Sequence, residues 1–386
     1  MLIKNAKIYT MEGYIIENGY VLVKEGKIIS IGEMKNINCF DDEVINLEGK
    51  SLYPGFIDAH THLGMIENAL TFEGDDGNEE NDPIMPNLRA IDAVNTFDKG
   101  FLEALEFGIT TVVTGPGSAN PIGGQLIALK TYGTRIDDMV IKSPVAIKFA
   151  LGENPKAVYS DKNQLPMTRM ATTALIREHL YKAKQYLENK RRSEKKEDTD
   201  FPDYDAKCEA LIPVLEKKIK VHFHAHRADD IFTAIRIAKE FNLDYVIVHG
   251  TEGHLIKEHL KKENSVILSG PILCHRSKPE LINLTTMAPG ILSKEGILTT
   301  LITDHPEVPI QYLTLCGALA IRDGMDKEKA LEAITINPAK ICAIDNRVGS
   351  IAVGKDADFV VYDGDPFDIY IKPALVIAGG VPISLK

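Results

Sequence analysis

From Leu52 to Asn346 the chain alternates many times between short apolar runs of strand-forming residues and stretches with helical periodicity. Ile109 to Thr114, Val145 to Leu151, Lys220 to His224, Tyr245 to His249, Val266 to Ser269 and Leu298 to Thr303 read as strands. Most are apolar on both faces, as parallel strands covered by helices are. Asp229 to Glu240, Glu252 to Lys262 and Ile310 to Arg322 read as the intervening helices. Such alternation places the chain in the α/β class. A TIM-like (β/α)8 barrel needs roughly 250 residues, and this segment can supply them.

The two ends follow another pattern. Tyr20 to Gly32 holds two β-rich runs around a Glu25-Gly26 turn, which is a hairpin signal. Val348 to Asp363 repeats the style around Phe359-Val360-Val361-Tyr362. Neither half-sheet can bury its apolar face alone. The termini are therefore expected to build one small β-sandwich domain from residues 1–53 and 347–386, with the barrel at 54–346 between them. Thr168 to Lys218 is longer than an ordinary barrel connection, and its charge run, Glu188 to Asp200, reads as a solvated helix end and loop.

Composition narrows the partners. Of 386 residues 44% are hydrophobic, enough for a large core, and the formal net charge of −11 would repel a phosphate backbone. No run of about 18 apolar residues suggests a membrane span, and Met1 to Thr10 lacks the basic head and apolar stretch of a secretory signal. The five cysteines, Cys39, Cys208, Cys274, Cys316 and Cys342, are scattered without a CxxC pair, as suits free thiols in a reducing cytosol. A cytoplasmic protein acting on a small molecule, without nucleic acid or membrane, is the expectation.

The chemistry concentrates at strand ends. In Pro54-Gly55-Phe56-Ile57-Asp58-Ala59-His60-Thr61-His62, residues two apart share one side of a strand, so His60 and His62 present two imidazoles together. Neutral imidazole nitrogen is a preferred donor to a divalent metal. His224, His249 and Asp304 close later runs. A barrel gathers the C-terminal ends of all its strands at one mouth, so these residues are expected to converge there. The Gly-rich stretch Gly115 to Gln125 reads as an active-site loop and lacks the Gly-Lys-Ser/Thr of a phosphate loop.

These motifs resemble the amidohydrolase superfamily, in its imidazolonepropionase-like and Xaa-Pro-dipeptidase-like branch, over almost the whole chain. Pro54 to His62 resembles its first metal motif, Ile147 to Asn154 its lysine-bearing strand, His224-Ala225-His226 and His249-Gly250 its next ligand positions, and Thr303-Asp304-His305-Pro306 its last-strand motif. Asn337-Pro338-Ala339-Lys340 and Gly349 through Asp358 resemble its closing signature. The resemblance implies one or two divalent metals per chain, zinc first, with iron, manganese or cobalt also compatible. Their ligands would be His60, His62, Lys148, His224, His249 and Asp304, with Lys148 carboxylated by CO₂ to become an anion; Glu153 is the alternative to Lys148. It implies hydrolysis by a metal-activated hydroxide, with Asp304 passing the proton to the leaving nitrogen. Such enzymes are commonly homo-oligomers.

His226, Arg169, His305 and Gln125 are candidates for substrate contact, Arg169 because a guanidinium grips a carboxylate bidentately. His222 shares the parity of His224 but lies deeper and reads as structural. The leading expectation is cleavage of an amide-type C–N bond in a dipeptide, an N-acyl amino acid or a cyclic amide. A deaminase on the same scaffold is the first alternative, weakened because no glutamate closely follows His224. A non-catalytic scaffold is the second, weakened because no ligand residue has been lost.

Overall fold

The computed structural model describes residues 1–37, 43–67, 71–195 and 200–384; Cys39 lies outside them. The N-terminal strands are β1 (Leu2–Tyr9), β2 (Ile15–Lys24), β3 (Lys27–Glu33), β4 (Val44–Asn46) and β5 (Ser51–Pro54). The expected hairpin joins β2 to β3 in antiparallel register, Lys24 opposite Lys27. Its two turn residues, Glu25 and Gly26, have φ of 52° and 72°. That is the turn whose twist matches two strands joined by two residues.

The middle of the chain supplies eight more strands: β6 (Phe56–Thr61), β7 (Ile109–Thr114), β8 (Ile122–Lys130), β9 (Val140–Ala150), β10 (Lys220–Ala225), β11 (Tyr245–His249), β12 (Ile267–Ser269) and β13 (Thr299–Leu301). They form one sheet in sequence order, β6 to β13. The α/β class is as read, but a uniform (β/α)8 repeat is not. β8 runs antiparallel to both β7 and β9, and no long helix separates these three strands. The stretch read as a glycine loop thus enters a strand at Ile122. Gly124 is required there, because a Cβ would meet the Leu88 carbonyl oxygen at 2.6 Å. The long stretch Thr168 to Lys218 holds two helices among its described residues, Arg169–Glu194 and Ala206–Leu215.

The seam between β6 and β13 carries no backbone ladder among the described residues. Side chains bridge it. Asp58 Oδ2 accepts from the Thr303 backbone N at 3.0 Å and from Thr303 Oγ1 at 2.5 Å, while the His62 N donates to the His305 carbonyl at 2.8 Å. Burial raises the Asp58 carboxyl to about 7 against the pull of these donors.

β14 (Phe359–Tyr362), β15 (Leu375–Ala378) and β16 (Val381–Ile383) return to the first sheet. Its path is β16-β15-β14-β5-β1-β2-β3, with β4 also on β1. Both termini therefore do build one β unit, as expected. They build it as a single continuous sheet rather than the two separate layers a sandwich implies, because β5 and β14 pair directly. Its apolar side gathers Ile3, Val21, Leu52, Phe359 and Ile377.

A buried ionic cluster ties that sheet to the barrel. Lys130 on β8 contacts Asp358 and lies 2.8 Å from Asp356, and Asp356 also pairs with Lys27 and, at 2.9 Å, with Arg347. Burial opposes its charge, yet Lys130, Lys27 and Arg347 hold Asp356 at about 2. A carboxyl held down stabilises fully above its unfolded pKa and ceases to do so as pH falls through the folded one. This contribution is thus present above about pH 4. Lys130→Met would leave the buried Asp358 carboxylate without its cation, Asp356 keeping Lys27 and Arg347, and a loss of about 3–5 kcal/mol is expected in urea unfolding. A loss below about 1 kcal/mol would show the cluster to be water-screened.

Candidate metal centre at the barrel mouth

The strand ends converge as expected, into two adjoining groups. His60, His62 and Asp304 form one, and His224, His226 and His249 the other; within each, the donor atoms lie within 4.8 Å of one another. Asp304 Oδ1 is 3.4 Å from both His60 Nε2 and His62 Nε2. His226 and His249 stack with centroids 4.3 Å apart, and His60 stands 5.8 Å from His249, linking the groups.

Hydrogen bonds on the far side of the rings set their orientation. His62 Nδ1–H donates to the Gly115 carbonyl and His249 Nδ1–H to that of Gly270, both at 2.7 Å. His226 Nδ1 is 2.7 Å from Thr251 Oγ1. A carbonyl can only accept, so Nε2 of His62 and His249 is left as the lone-pair nitrogen. Burial holds His60, His224 and His226 well below the ordinary histidine value and His249 at about 4, so all four are neutral donors. Burial would raise Asp304, but His249, His62 and Lys148 outweigh it and keep the carboxylate ionised.

Strand parity alone misplaces one of these. Ile247 packs among the helix-facing residues, and strict alternation would send His249 the same way. Its φ of 74° turns the ring into the mouth instead, and Asp304 also has a positive φ, of 55°. Such conformations are uncommon away from glycine and collect at functional sites.

Lys148 lies on β9, the fourth strand of the barrel sheet, opposite His222 of β10. It is 1% exposed, and its Nζ is 2.7 Å from His60 Nε2. Burial lowers it to about 8 despite Asp304. His222 is fully buried beside it, and neither ring nitrogen has a hydrogen-bond partner.

The donor set fits a divalent cation. His224 Nε2 and Asp304 Oδ1 are buried without hydrogen-bond partners, and a cluster of neutral imidazoles around a carboxylate is the chemistry such an ion selects.

The softer candidates separate. His226, expected as a substrate contact, has its ring nitrogen grouped with those of His224 and His249. Arg169 Nε donates to both oxygens of Asp230, at 2.9 and 3.1 Å, so a buried carboxylate of the chain already engages it. His305 Nδ1 accepts from the Ile310 N at 3.1 Å, and its Nε2 lies toward Gly100. Gln125 lies on β8, with Nε2 3.4 Å from the Pro86 carbonyl. Glu153 opens a helix, and its backbone N donates to Glu280 Oε2 at 3.1 Å.

Glu280 is the residue that sequence patterns miss. It sits 1% exposed on a turn, Pro279–Leu281, in the connection after β12. Its Oε1 is 3.8 Å from His224 Nε2 and 3.6 Å from His226 Nε2. No glutamate closely follows His224 along the chain, but one stands beside it in space. Only an unusual Glu in the apolar setting of Pro279 and Leu281 hints at burial.

Known proteins agree with this architecture. The family model for the amidohydrolase family matches residues 51–381. A crystal structure of an amidohydrolase from Thermotoga maritima MSB8 is 42% identical, with all of both chains covered and a TM-score of 0.95. Among curated proteins, the amidohydrolase tasK of Hapsidospora irregularis is 28% identical over 98% of this chain, which spans only 42% of that protein. An imidazolonepropionase of Fusobacterium nucleatum is 25% identical, covering 90% of this chain and 86% of its own. A 5-methylthioadenosine/S-adenosylhomocysteine deaminase of Bacillus cereus is 24% identical, covering 98% and 90%. No helix among the described residues is long and apolar enough to cross a membrane.

Proposed function

Because the chain belongs to the amidohydrolase family, and so is a hydrolase acting on carbon–nitrogen bonds, we propose that it cleaves an amide-type bond of a small molecule: a dipeptide, an N-acyl amino acid or a cyclic amide. The observation that carries this is the pair of histidine clusters with Asp304 equidistant from His60 and His62. A divalent cation bound there, zinc foremost, would lower the pKa of a water to roughly 7 and polarise the scissile carbonyl. Asp304, whose carboxyl is held well below the ordinary range, would accept a proton from the attacking water and return it to the leaving nitrogen. The buried histidines stay neutral, so their lone pairs remain available to an ion. A non-catalytic scaffold would not need this convergence of ligand-type residues.

Lys148 is the candidate for carboxylation. In its neutral form the amine would attack CO₂: a C–N bond forms, one C=O π pair moves onto oxygen, one proton leaves the nitrogen, and the neutral side chain becomes a carbamate anion that would offer two oxygens to metal ions held between the clusters. Its burial against His60 favours this, since an ammonium has no lone pair to offer. Metal counting by mass spectrometry, on protein prepared with bicarbonate and no chelator, should give two ions per chain and one in Lys148→Met. A single ion in the native protein would remove the bridging role.

Deamination of an aminated ring is the second reading, favoured by the match to a named deaminase over 98% of this chain. Ammonia release from aminated heterocycles, against ninhydrin-detected amine from dipeptides and N-acyl amino acids, separates the two.

A further inference from the structure

The two His-x-His pairs are built alike. His60 and His62 converge on one carboxylate oxygen, Asp304 Oδ1, at 3.4 Å each. His224 and His226 converge on another, Glu280 Oε1, at 3.8 and 3.6 Å. Donors held about 2.0–2.2 Å from one ion stand about 3–4 Å apart, a range that holds all four separations. They are too long for hydrogen bonds, and His224 Nε2 has no other partner.

We propose that Glu280 completes the second cluster as its carboxylate donor, doing for His224 and His226 what Asp304 does for His60 and His62. This rests on the metal-dependent reading above. Three neutral imidazoles bring no charge of their own to a dication in a buried site, and a buried ion without a counter-charge is costly. Glu280 gives this cluster a carboxylate of its own, as Asp304 gives the other, beside the anion that a carboxylated Lys148 would share between them.

Its position is set from several sides. Oε2 accepts from the Glu153 N at 3.1 Å. Lys278 Nζ lies 2.7 Å from Oε1 and donates to Asn154 Oδ1 at 2.9 Å, and Asn154 Nδ2 donates to Ser118 Oγ at 2.7 Å. Gly152 leaves the necessary room, since a Cβ there would sit 2.9 Å from Glu280 Oε2. Lys278 competes with a cation for the same oxygen, so the ligand role and a mere anchoring role predict opposite effects of removing it.

The test is titration of the full-length protein with Co(II), followed by its visible absorption, and with Zn(II) against a competing chelator. Glu280→Gln should weaken one site by at least about 10–100-fold and leave the other unchanged. Glu280→Asp, which keeps the charge, should fall between Gln and the native protein; it answers the same question if Glu280→Gln does not fold. Lys278→Met should bind as tightly as the native protein or more so. Native affinity at both sites in a Glu280→Gln protein with a native melting curve would overturn the assignment while leaving the proposed function standing. Equal weakening in Lys278→Met and Glu280→Gln would overturn it too, reducing the pair to a loop anchor. A native protein that binds neither ion would bring down both readings.

Discussion

His60→Ala is expected to reduce kcat/KM by at least about 10³-fold, roughly 4 kcal/mol of transition-state stabilisation. His60 is fully buried and stands between Lys148 Nζ, Asp304 Oδ1 and the His249 ring. It touches members of both clusters, so its loss removes a donor and unseats its neighbours together. The fold should suffer less. His60 lies at a strand end, in a polar cluster rather than the apolar core, and a change in Tm of only a few degrees is expected. Turnover against amide substrates and a thermal melt, measured on the same metal-replete preparation, check both halves. Retained turnover would count decisively against this site.

Asp304→Asn should lower kcat by about 10²–10⁴-fold, the usual worth of a positioned acid–base group. Asparagine keeps the shape and can still face His60 and His62, so the histidines should hold their ion. What it loses is the capacity to accept a proton. On protein loaded with saturating metal, where a weakened site is still filled, ion content by mass spectrometry should stay native while turnover falls. A fully active Asp304→Asn protein would move the proton transfer to another group, and Glu280 is the carboxylate beside the opposite cluster.

Much of this site is legible in the amino-acid sequence. His60 with His62, and His224 with His226, follow from strand parity, and Asp304 from its place after an apolar run. The sequence signal for His249 is only half sufficient. Its residue type and strand end point to the mouth, but its direction depends on a backbone angle that alternation does not predict. Arg169 and His305 illustrate the reverse. Both have suitable chemistry, yet Asp230 takes one and the Ile310 backbone the other. β8 is hidden because its glycines lower strand propensity, and Gly124 is there to let Leu88 of a distant loop approach closely.

Residue chemistry and short periods, two along a strand and 3.6 along a helix, are local properties, and they suffice to identify the α/β class, the hairpin and the ligand-type strand ends. Closure of the barrel through Asp58 and Thr303, the reversed strand β8, the continuous terminal sheet and the arrival of Glu280 beside His224 are decided by tertiary structure. Each depends on contacts between residues far apart in the chain, Asp58 and Thr303 being 245 positions apart. Such contacts are selected by burial and hydrogen-bond satisfaction of the whole fold, and no local window of sequence contains that information.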